Sequence, residues 1–287
     1  MAGLRACLGT ADLLRKVRRS KVALLETRNL SKSFGGLQAL DKVSLKVEPN
    51  TVHGLIGPNG SGKSTFFNLL TGVYQPDEGS HISFNGIDIT SSPAHKIAEL
   101  GLARTFQLLR LYGELSVLDN VMVGYHPHTK YGPLAPLING AEVRRQDKVV
   151  REEMEELLEF IGLAEYAEIP AAELSGGQRR LLALGRAIAM RPQMLLLDEP
   201  GAGLSPVNVD NLMSTIMTLK KRYNLTIIVV EHILKVVMST CDNISVLDHG
   251  QKISEGDPEF VKGDPAVVEA YLGREMADED IRAAMDA

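Results

Sequence analysis

Short apolar runs alternate with longer amphipathic stretches along this chain. Val52–Ile56, Met194–Leu197 and Thr226–Val230 contain no acidic residue, lysine or arginine. Such runs are typical of strands that are buried on both faces of a parallel sheet. Residues 141–161 instead carry apolar side chains at helical spacing on a strongly charged background. The pattern therefore predicts an α/β fold with a parallel sheet and amphipathic helices.

A second group of short strands is predicted near the start of the chain. Val22–Thr27, Val43–Val47 and His81–Phe84 are separated by turn residues, and the hairpin signal Asn85-Gly86 follows the last of them. Ser31–Gly36 is predicted to be a turn-rich segment. Together these elements predict a small antiparallel sheet folded onto the α/β core.

The run Val52–Ile56 leads into a glycine-rich segment that fits G-x-x-x-x-G-K-[ST], the phosphate-binding loop. Glycines allow successive backbone N–H groups to surround a phosphate, and the N-terminus of the following helix adds a positive end. Lys63 can reach the β- and γ-phosphates, and the Ser64 hydroxyl can ligate Mg²⁺. This predicted P-loop comprises Gly57, Pro58, Asn59, Gly60, Ser61, Gly62, Lys63, Ser64 and Thr65.

Two acidic residues follow the predicted strand Met194–Leu197 directly. Asp198 can hold Mg²⁺ through water, as the second metal-side element of a P-loop site. Glu199 can orient or deprotonate an attacking water. Adjacent acids at a strand end can also simply cap the next helix, an alternative that the P-loop makes weaker.

A third segment places small residues at the start of a long helical pattern. In such a position backbone N–H groups can meet an anion, although a plain capped helix start has the same sequence features. The segment comprises Leu174, Ser175, Gly176, Gly177 and Gln178.

Three single residues are further candidates for the site. Gln107 can reach a metal ion or the attacking water, and His232, at the end of Thr226–Val230, can hydrogen-bond a γ-phosphate. Phe34 lies where an aromatic ring can stack on adenine. Taken alone, each also suits an ordinary role, as a polar residue at an element end, a structural histidine and a core aromatic.

Composition and charge argue against several classes of protein. The chain has 287 residues and a net charge of −5, so a general nucleic-acid-binding surface is not expected. Two distant cysteines, Cys7 and Cys241, favour a reducing compartment without disulfides. No apolar run approaches the length that spans a bilayer. Residues 1–21 form a basic N-terminal extension, either a poorly ordered tail or a surface for anionic lipid, and residues 274–287 form an acidic tail.

The order of these motifs resembles that of the ATP-binding subunits of ABC transporters, over about residues 22–273. Leu174–Gln178 is similar to the signature of that family. The segments Phe34–Leu40, Ala103–Gln107 and Asn120–Gly124 resemble the subgroup that imports branched-chain and other hydrophobic amino acids. Two positions depart from the general family pattern, where aspartate is frequent: Ser205 and Ile233.

The resemblance implies a P-loop NTPase (RecA-like) core with an antiparallel β subdomain and an α-helical subdomain inserted at about residues 90–185. It implies that Phe34 stacks on adenine, that Gln107 senses the γ-phosphate and Mg²⁺, that Glu199 is the general base and that His232 is the switch histidine. The implied cofactors are ATP and Mg²⁺, with each ATP held between the P-loop of one subunit and the signature of another.

The resemblance also implies an assembly. A second, related but non-identical ATPase subunit, two transmembrane permeases and a periplasmic substrate-binding protein are the expected partners. The chain is then expected at the cytoplasmic face of the inner (plasma) membrane, as a peripheral subunit held there by the permeases.

Alternatives remain at two levels. Related motors drive urea transport or the export of lipid and lipopolysaccharide. A soluble ABC-type ATPase without a permease, acting in DNA repair or on ribosomes, and a small-molecule kinase are alternatives from other classes. A soluble ATPase of this type usually carries long coiled-coil insertions or tandem ATPase halves. A small-molecule kinase has no use for the signature or the switch histidine.

Overall fold

The computed structural model describes residues 23–105, 111–129 and 140–272. Ten strands are described: β1 (Leu25–Phe34), β2 (Leu37–Val47), β3 (Val52–Ile56), β4 (His81–Phe84), β5 (Ile87–Asp88), β6 (Leu102–Thr105), β7 (Met194–Asp198), β8 (Thr226–Val230), β9 (Asn243–Asp248) and β10 (Gln251–Gly256).

Nine α-helices lie in the same ranges: α1 (Lys63–Leu70), α2 (Ala94–Glu99), α3 (Val117–Tyr125), α4 (Gly140–Phe160), α5 (Gly176–Ala189), α6 (Pro206–Tyr223), α7 (Leu234–Thr240), α8 (Pro258–Gly263) and α9 (Pro265–Leu272). Three short 3₁₀ helices accompany them: His126–His128, Ala164–Tyr166 and Ala171–Glu173.

The central sheet has six strands in the order β10-β9-β3-β8-β7-β6. β3 pairs in parallel with β8 and β9, and β7 pairs in parallel with β6 and β8, whereas β10 is antiparallel to β9. Every residue of β3, β7 and β8 is buried, as the apolar runs Val52–Ile56, Met194–Leu197 and Thr226–Val230 predict; Asp198, the last residue of β7, is the one acidic residue in these three strands. Because parallel strands end at the same edge, the residues that follow β3, β7, β8 and β6 meet there.

The smaller sheet is antiparallel, in the order β2-β1-β4-β5. Its inner face shares an apolar core with one face of the central sheet, where Leu25 and Phe84 pack in the same cluster as Leu196 and Ile228. The helices cover the other face, through Leu197 and Val229 among others. This alternation of residues between two cores follows from the two-residue period of a strand.

The helices α3, α4 and α5 lie in the chain between β6 and β7, which are neighbours in the sheet. The helix crossing of α3 and α5 is close, because a Cβ built on Gly124 would lie 2.2 Å from the carbonyl oxygen of Arg186. The α/β core, the antiparallel sheet and the inserted helices confirm the predicted fold class.

One local prediction is wrong. Ser31–Gly36 was expected to be a turn, but β1 continues to Phe34, and only Gly35 and Gly36 form the connection to β2. Lys32 pairs with Leu40 and Phe34 pairs with Leu37 in an irregular register. The polar residues of this segment have low strand propensity, so their sequence did not indicate a strand. Pairing with β2 nevertheless places them in one.

Candidate functional site

The P-loop connects β3 to α1 at the carboxyl edge of the central sheet. Gly57 and Gly62 adopt φ values of +148° and +107°, which disfavour residues with a side chain. A Cβ on Gly57 would lie 2.0 Å from the carbonyl oxygen of Leu247, and one on Gly62 would lie 2.7 Å from that of Ala39. These glycines therefore allow the loop to pack directly against β9 and β2, which leaves its other side for a ligand.

The ammonium group of Lys63 is held against the P-loop backbone. Its Nζ donates to the carbonyl oxygens of Gly57 (2.7 Å) and Pro58 (2.9 Å), and the residue is buried. The buried Ser61 hydroxyl has no hydrogen-bond partner among the described residues, and such a group is costly unless a ligand or water satisfies it. A buried cation, an unsatisfied hydroxyl and a helix N-terminus together fit the phosphate groups of a nucleotide.

Phe34 lies at the end of β1, and 42% of its surface is exposed. The ring of Tyr74 meets it edge-on, with centroids 5.2 Å apart and planes at 73°. The ammonium of Lys32 lies 5.4 Å from the Phe34 centroid and donates to the carbonyl oxygen of Gln75 at 2.7 Å. Phe34 is therefore a supported surface ring rather than a core residue, and Tyr74 is a neighbour that sequence reasoning missed.

Asp198, the last residue of β7, is buried and paired. Its Oδ2 accepts a hydrogen bond from Arg104 Nη2 at 2.6 Å, and Arg104 Nη1 donates to Asn68 of α1 at 2.7 Å. The guanidinium also lies over the ring of Phe67, 5.4 Å from its centroid. Arg104 thus links the predicted metal-holding carboxylate to the helix that follows the P-loop. No periodicity or motif in the residues themselves indicated this pairing.

Glu199 begins the loop after β7 in a left-handed conformation, with φ +47°. Its N–H donates to the carbonyl oxygen of Val230 at 2.9 Å, so the ends of β7 and β8 are joined. His232 follows β8 closely and is exposed. The geometry therefore brings Glu199 and His232 to one edge, beside the strand that leads to the P-loop.

Glu231 is a buried acid that sequence reasoning passed over. It is 1% exposed, and burial raises the pKa of its carboxyl group, while the N–H of Gly201 opposes this shift. Its Oε1 accepts from Gly201 N at 2.6 Å, and its Oε2 lies 3.9 Å from His232 Nδ1. The only sequence signal was an acidic residue at the end of an apolar strand.

The segment Leu174–Gln178 begins α5, away from the P-loop in the chain. Ser175 is the N-cap, and its side chain and that of Gln178 form a reciprocal capping box. Ser175 and Gly176 are exposed, while Gly177 is partly exposed. This is the helix N-terminus that the sequence predicted, on a surface where a second molecule can approach it.

Gln107 lies outside the described residues, as do the predicted extension at 1–21 and the tail at 274–287. β6 ends at Thr105, so the chain reaches the carboxyl edge two residues before Gln107.

A family model described as "ABC transporter" matches residues 40–202, and one described as "Branched-chain amino acid ATP-binding cassette transporter" matches residues 251–277. The chain belongs to the ABC transporter family. It is an ATPase subunit that binds nucleotide, and it resembles the subgroup predicted above.

Two relatives of this ABC transporter subunit are similar over most of its length. The BraF protein of Pseudomonas aeruginosa, a high-affinity branched-chain amino acid transport ATP-binding protein, is 42% identical over 87% of this chain and 98% of its own length. The LivG protein of Escherichia coli K12, which carries the same description, is 38% identical with the same coverage.

Among solved structures, the ADP conformation of MJ1267, an ATP-binding cassette of an ABC transporter, superimposes with a TM-score of 0.75. It is 35% identical, and the match covers 88% of this chain and all of that one. Within the described part of this ABC transporter subunit, no helix is both long and apolar enough to cross a membrane.

Proposed function

We propose that this subunit drives the import of branched-chain or other hydrophobic amino acids. The observation that supports this cargo is the similarity to BraF and LivG over almost their whole lengths, together with the branched-chain model that matches residues 251–277. The match at residues 251–277 supports the cargo separately, because this segment lies outside the residues 40–202 that match the general family model.

The proposed partners are a second, related ATPase subunit, two transmembrane permeases and a periplasmic substrate-binding protein. In this assembly the subunit sits at the cytoplasmic face of the inner membrane. The exposed signature at Ser175 and the P-loop of the same chain serve different ATP molecules, each completed by the partner ATPase. Closure of the two subunits on ATP, and their opening after hydrolysis, drive the permease if it binds the two states differently.

In the proposed mechanism, Lys63 and the N–H groups of the P-loop hold the β- and γ-phosphates. Phe34 stacks on the adenine. Glu199 orients the attacking water and accepts its proton, with Gln107 and His232 placing the water and the γ-phosphate.

Mg²⁺ is the proposed metal cofactor. The residues that would hold it are Ser64 and Asp198, with Gln107, and its charge would neutralise the phosphate oxygens. Among the described residues, no group of three or more His, Cys, Asp and Glu side chains could hold a metal alone. A site that relies on one carboxylate and on substrate phosphates agrees with the usual coordination of Mg²⁺.

A pull-down with the tagged chain, from its native membranes in mild detergent, tests the assembly. We expect two permeases and a second ATPase to co-purify. Lys63→Ala should bring down the same proteins, because the P-loop is not proposed to bind the permease. Recovery of soluble partners alone would instead favour a non-transport ATPase.

The cargo is tested with the accompanying binding protein. Titration with leucine should show binding, and addition of the leucine-bound form to the reconstituted complex should stimulate phosphate release. The complex with Lys63→Ala should show no stimulation. Binding of urea without leucine would replace the proposed cargo with urea.

A further inference from the structure

The loop at residues 199–205 connects β7 to α6 and carries Glu199 at its start. Two internal hydrogen bonds fold it, from Ala202 N to the carbonyl oxygen of Glu199 and from Leu204 N to that of Gly201, both at 3.1 Å. Neither bond fixes the loop to the rest of the molecule. Its first residue is attached to β8, because Glu199 N donates to the carbonyl oxygen of Val230 at 2.9 Å. The position of the rest of the loop depends on contacts from other segments.

One outside contact comes from the end of β8. Glu231 Oε1 accepts from Gly201 N at 2.6 Å. The approach is close enough that a Cβ on Gly201 would lie 2.9 Å from the same oxygen. Burying a carboxyl group is costly, and Oε2 has no hydrogen-bond partner in the described part of the chain. The backbone N–H of His232 also acts on this carboxyl group, but the hydrogen bond from Gly201 N is the one that connects it to the loop.

The second outside contact comes from α5, the helix that begins at the signature. The guanidinium of Arg180 donates through Nη2 to the carbonyl oxygen of Ala202. Two consecutive loop residues are thus held from different segments. The carboxyl group of Glu231 binds the N–H of Gly201, and the guanidinium of Arg180 binds the carbonyl oxygen of Ala202. Glu231 directly precedes His232, and Arg180 lies within the first two turns of α5.

We propose that Glu231 and Arg180 are positioning residues that hold the 199–205 loop between the strand end bearing His232 and the helix bearing the signature. Since Glu199 begins this loop, loosening either contact displaces its carboxylate from the attacking water. Nucleotide affinity stays unchanged, because the P-loop belongs to a different segment. Only the effect on hydrolysis rests on the proposed role of Glu199.

The test compares substitutions that differ in one property. Glu231→Gln and Glu231→Leu both remove the ionisable carboxyl group, but only leucine removes the acceptor for Gly201 N. Arg180→Lys keeps a donor that Arg180→Met lacks. Hydrogen exchange of the full-length chain reports on the loop, and single-turnover hydrolysis and ATP affinity report on the site.

We expect Glu231→Leu and Arg180→Met to speed amide exchange in residues 199–205 at least tenfold and to slow hydrolysis at least tenfold, with ATP affinity within twofold. Glu231→Gln and Arg180→Lys should stay within threefold of the wild type in all three measurements. The double variant Glu231→Leu/Arg180→Met should be no slower than the slower single variant, because both act through one loop.

Arg179→Met is the control for exchange. Arg179 donates to the carbonyl oxygens of Leu174 and Ala172 instead of the loop, so this variant should leave exchange in residues 199–205 unchanged. If Glu231→Leu fails to fold, the comparison of Arg180→Lys with Arg180→Met tests the proposal, because Arg180 is only partly buried.

Unchanged loop exchange in Glu231→Leu or Arg180→Met would overturn the proposal, as would equal effects of glutamine and leucine at position 231. Faster exchange with normal hydrolysis would remove the link to Glu199. None of the three measurements involves a permease or cargo, so the result is independent of the transport proposal. Glu199→Gln measured in parallel tests the base separately.

Discussion

Arg104 and Asp198 form a buried ion pair at the edge of the central sheet, with 2.6 Å between Nη2 and Oδ2 and side chains that are 7% and 8% exposed. Removing one partner of such a pair leaves the other charge buried and uncompensated, which typically costs about 3–5 kcal/mol. We therefore expect Arg104→Met to lower the free energy of unfolding by about that amount in urea titrations.

Two controls separate this effect from a general loss of charge. Arg104→Met should cost much less in an Asp198→Asn background, where no carboxylate is left unpaired. Arg151→Met removes solvent-exposed ion pairs with Glu155 and Glu168 and should change stability little. Equal losses for Arg104→Met in both backgrounds would show that the contacts of Arg104 with Asn68 and Phe67, not its pairing with Asp198, are what matters.

Glu199→Gln should bind ATP with normal affinity and hydrolyse it at least a hundredfold more slowly, because the amide cannot accept a proton from water. The variant should also accumulate the ATP-bound dimer, visible by size-exclusion chromatography with the partner ATPase present. Near-normal phosphate release in single-turnover assays would exclude Glu199 as the base.

Ser175→Arg should leave ATP binding to the isolated subunit intact and prevent ATP-dependent dimer formation, since the bulky cation occupies an exposed helix N-terminus. Ser175→Asn serves as the control, because asparagine preserves the N-cap. Sedimentation with ATP in the Glu199→Gln background measures the outcome. A dimer that persists in Ser175→Arg would argue against a site shared between subunits.

Phe34→Ala should weaken ATP binding by roughly 5- to 100-fold, the range expected from losing one base-stacking contact. Competition with a fluorescent ATP analogue measures this affinity. Phe34→Tyr should bind ATP normally. Tripolyphosphate, which has no base, should bind all three proteins equally; a parallel loss of its binding in Phe34→Ala would mean that the ring supports the P-loop instead.

His53 gives a stability prediction for acid pH. It is buried, hydrogen-bonds Ser245 Oγ at 3.0 Å, and burial lowers its pKa from 6.5 to about 4, with Glu255 opposing and Lys252 adding to the shift. At pH values between these two pKa values, the unfolded chain binds more protons than the folded one. Stability therefore falls as the pH drops from about 7 toward 4. The shift corresponds to roughly 3 kcal/mol at full protonation.

His53→Gln should therefore lose less stability than the wild type over the same pH range, as measured by urea unfolding at each pH. His249→Gln alters an exposed histidine and should follow the wild-type curve. Parallel curves for His53→Gln and the wild type would assign the acid sensitivity to other groups.

The sequence by itself determined the local elements of the site. These elements depend only on residues that are close in the chain: glycines that accept positive φ, a lysine at a fixed offset and an acid at the end of an uncharged run. The P-loop, the strand ending in Asp198 and the helix start at Ser175 could therefore be predicted, whereas the reciprocal capping by Gln178 was found only in the structure. The same local reasoning failed at residues 31–34, where pairing with another strand decides the conformation.

Only the tertiary structure decided which polar groups meet. Arg104 and Asp198 are 94 positions apart, Gly201 and Glu231 are 30 apart, and Arg180 and Ala202 are 22 apart. The order β8-β7-β6 and the inserted helices bring these residues together. A single arginine or glutamate has no periodicity that indicates its distant partner, because that pairing is set by how the buried apolar faces pack, and the polar contacts follow from it.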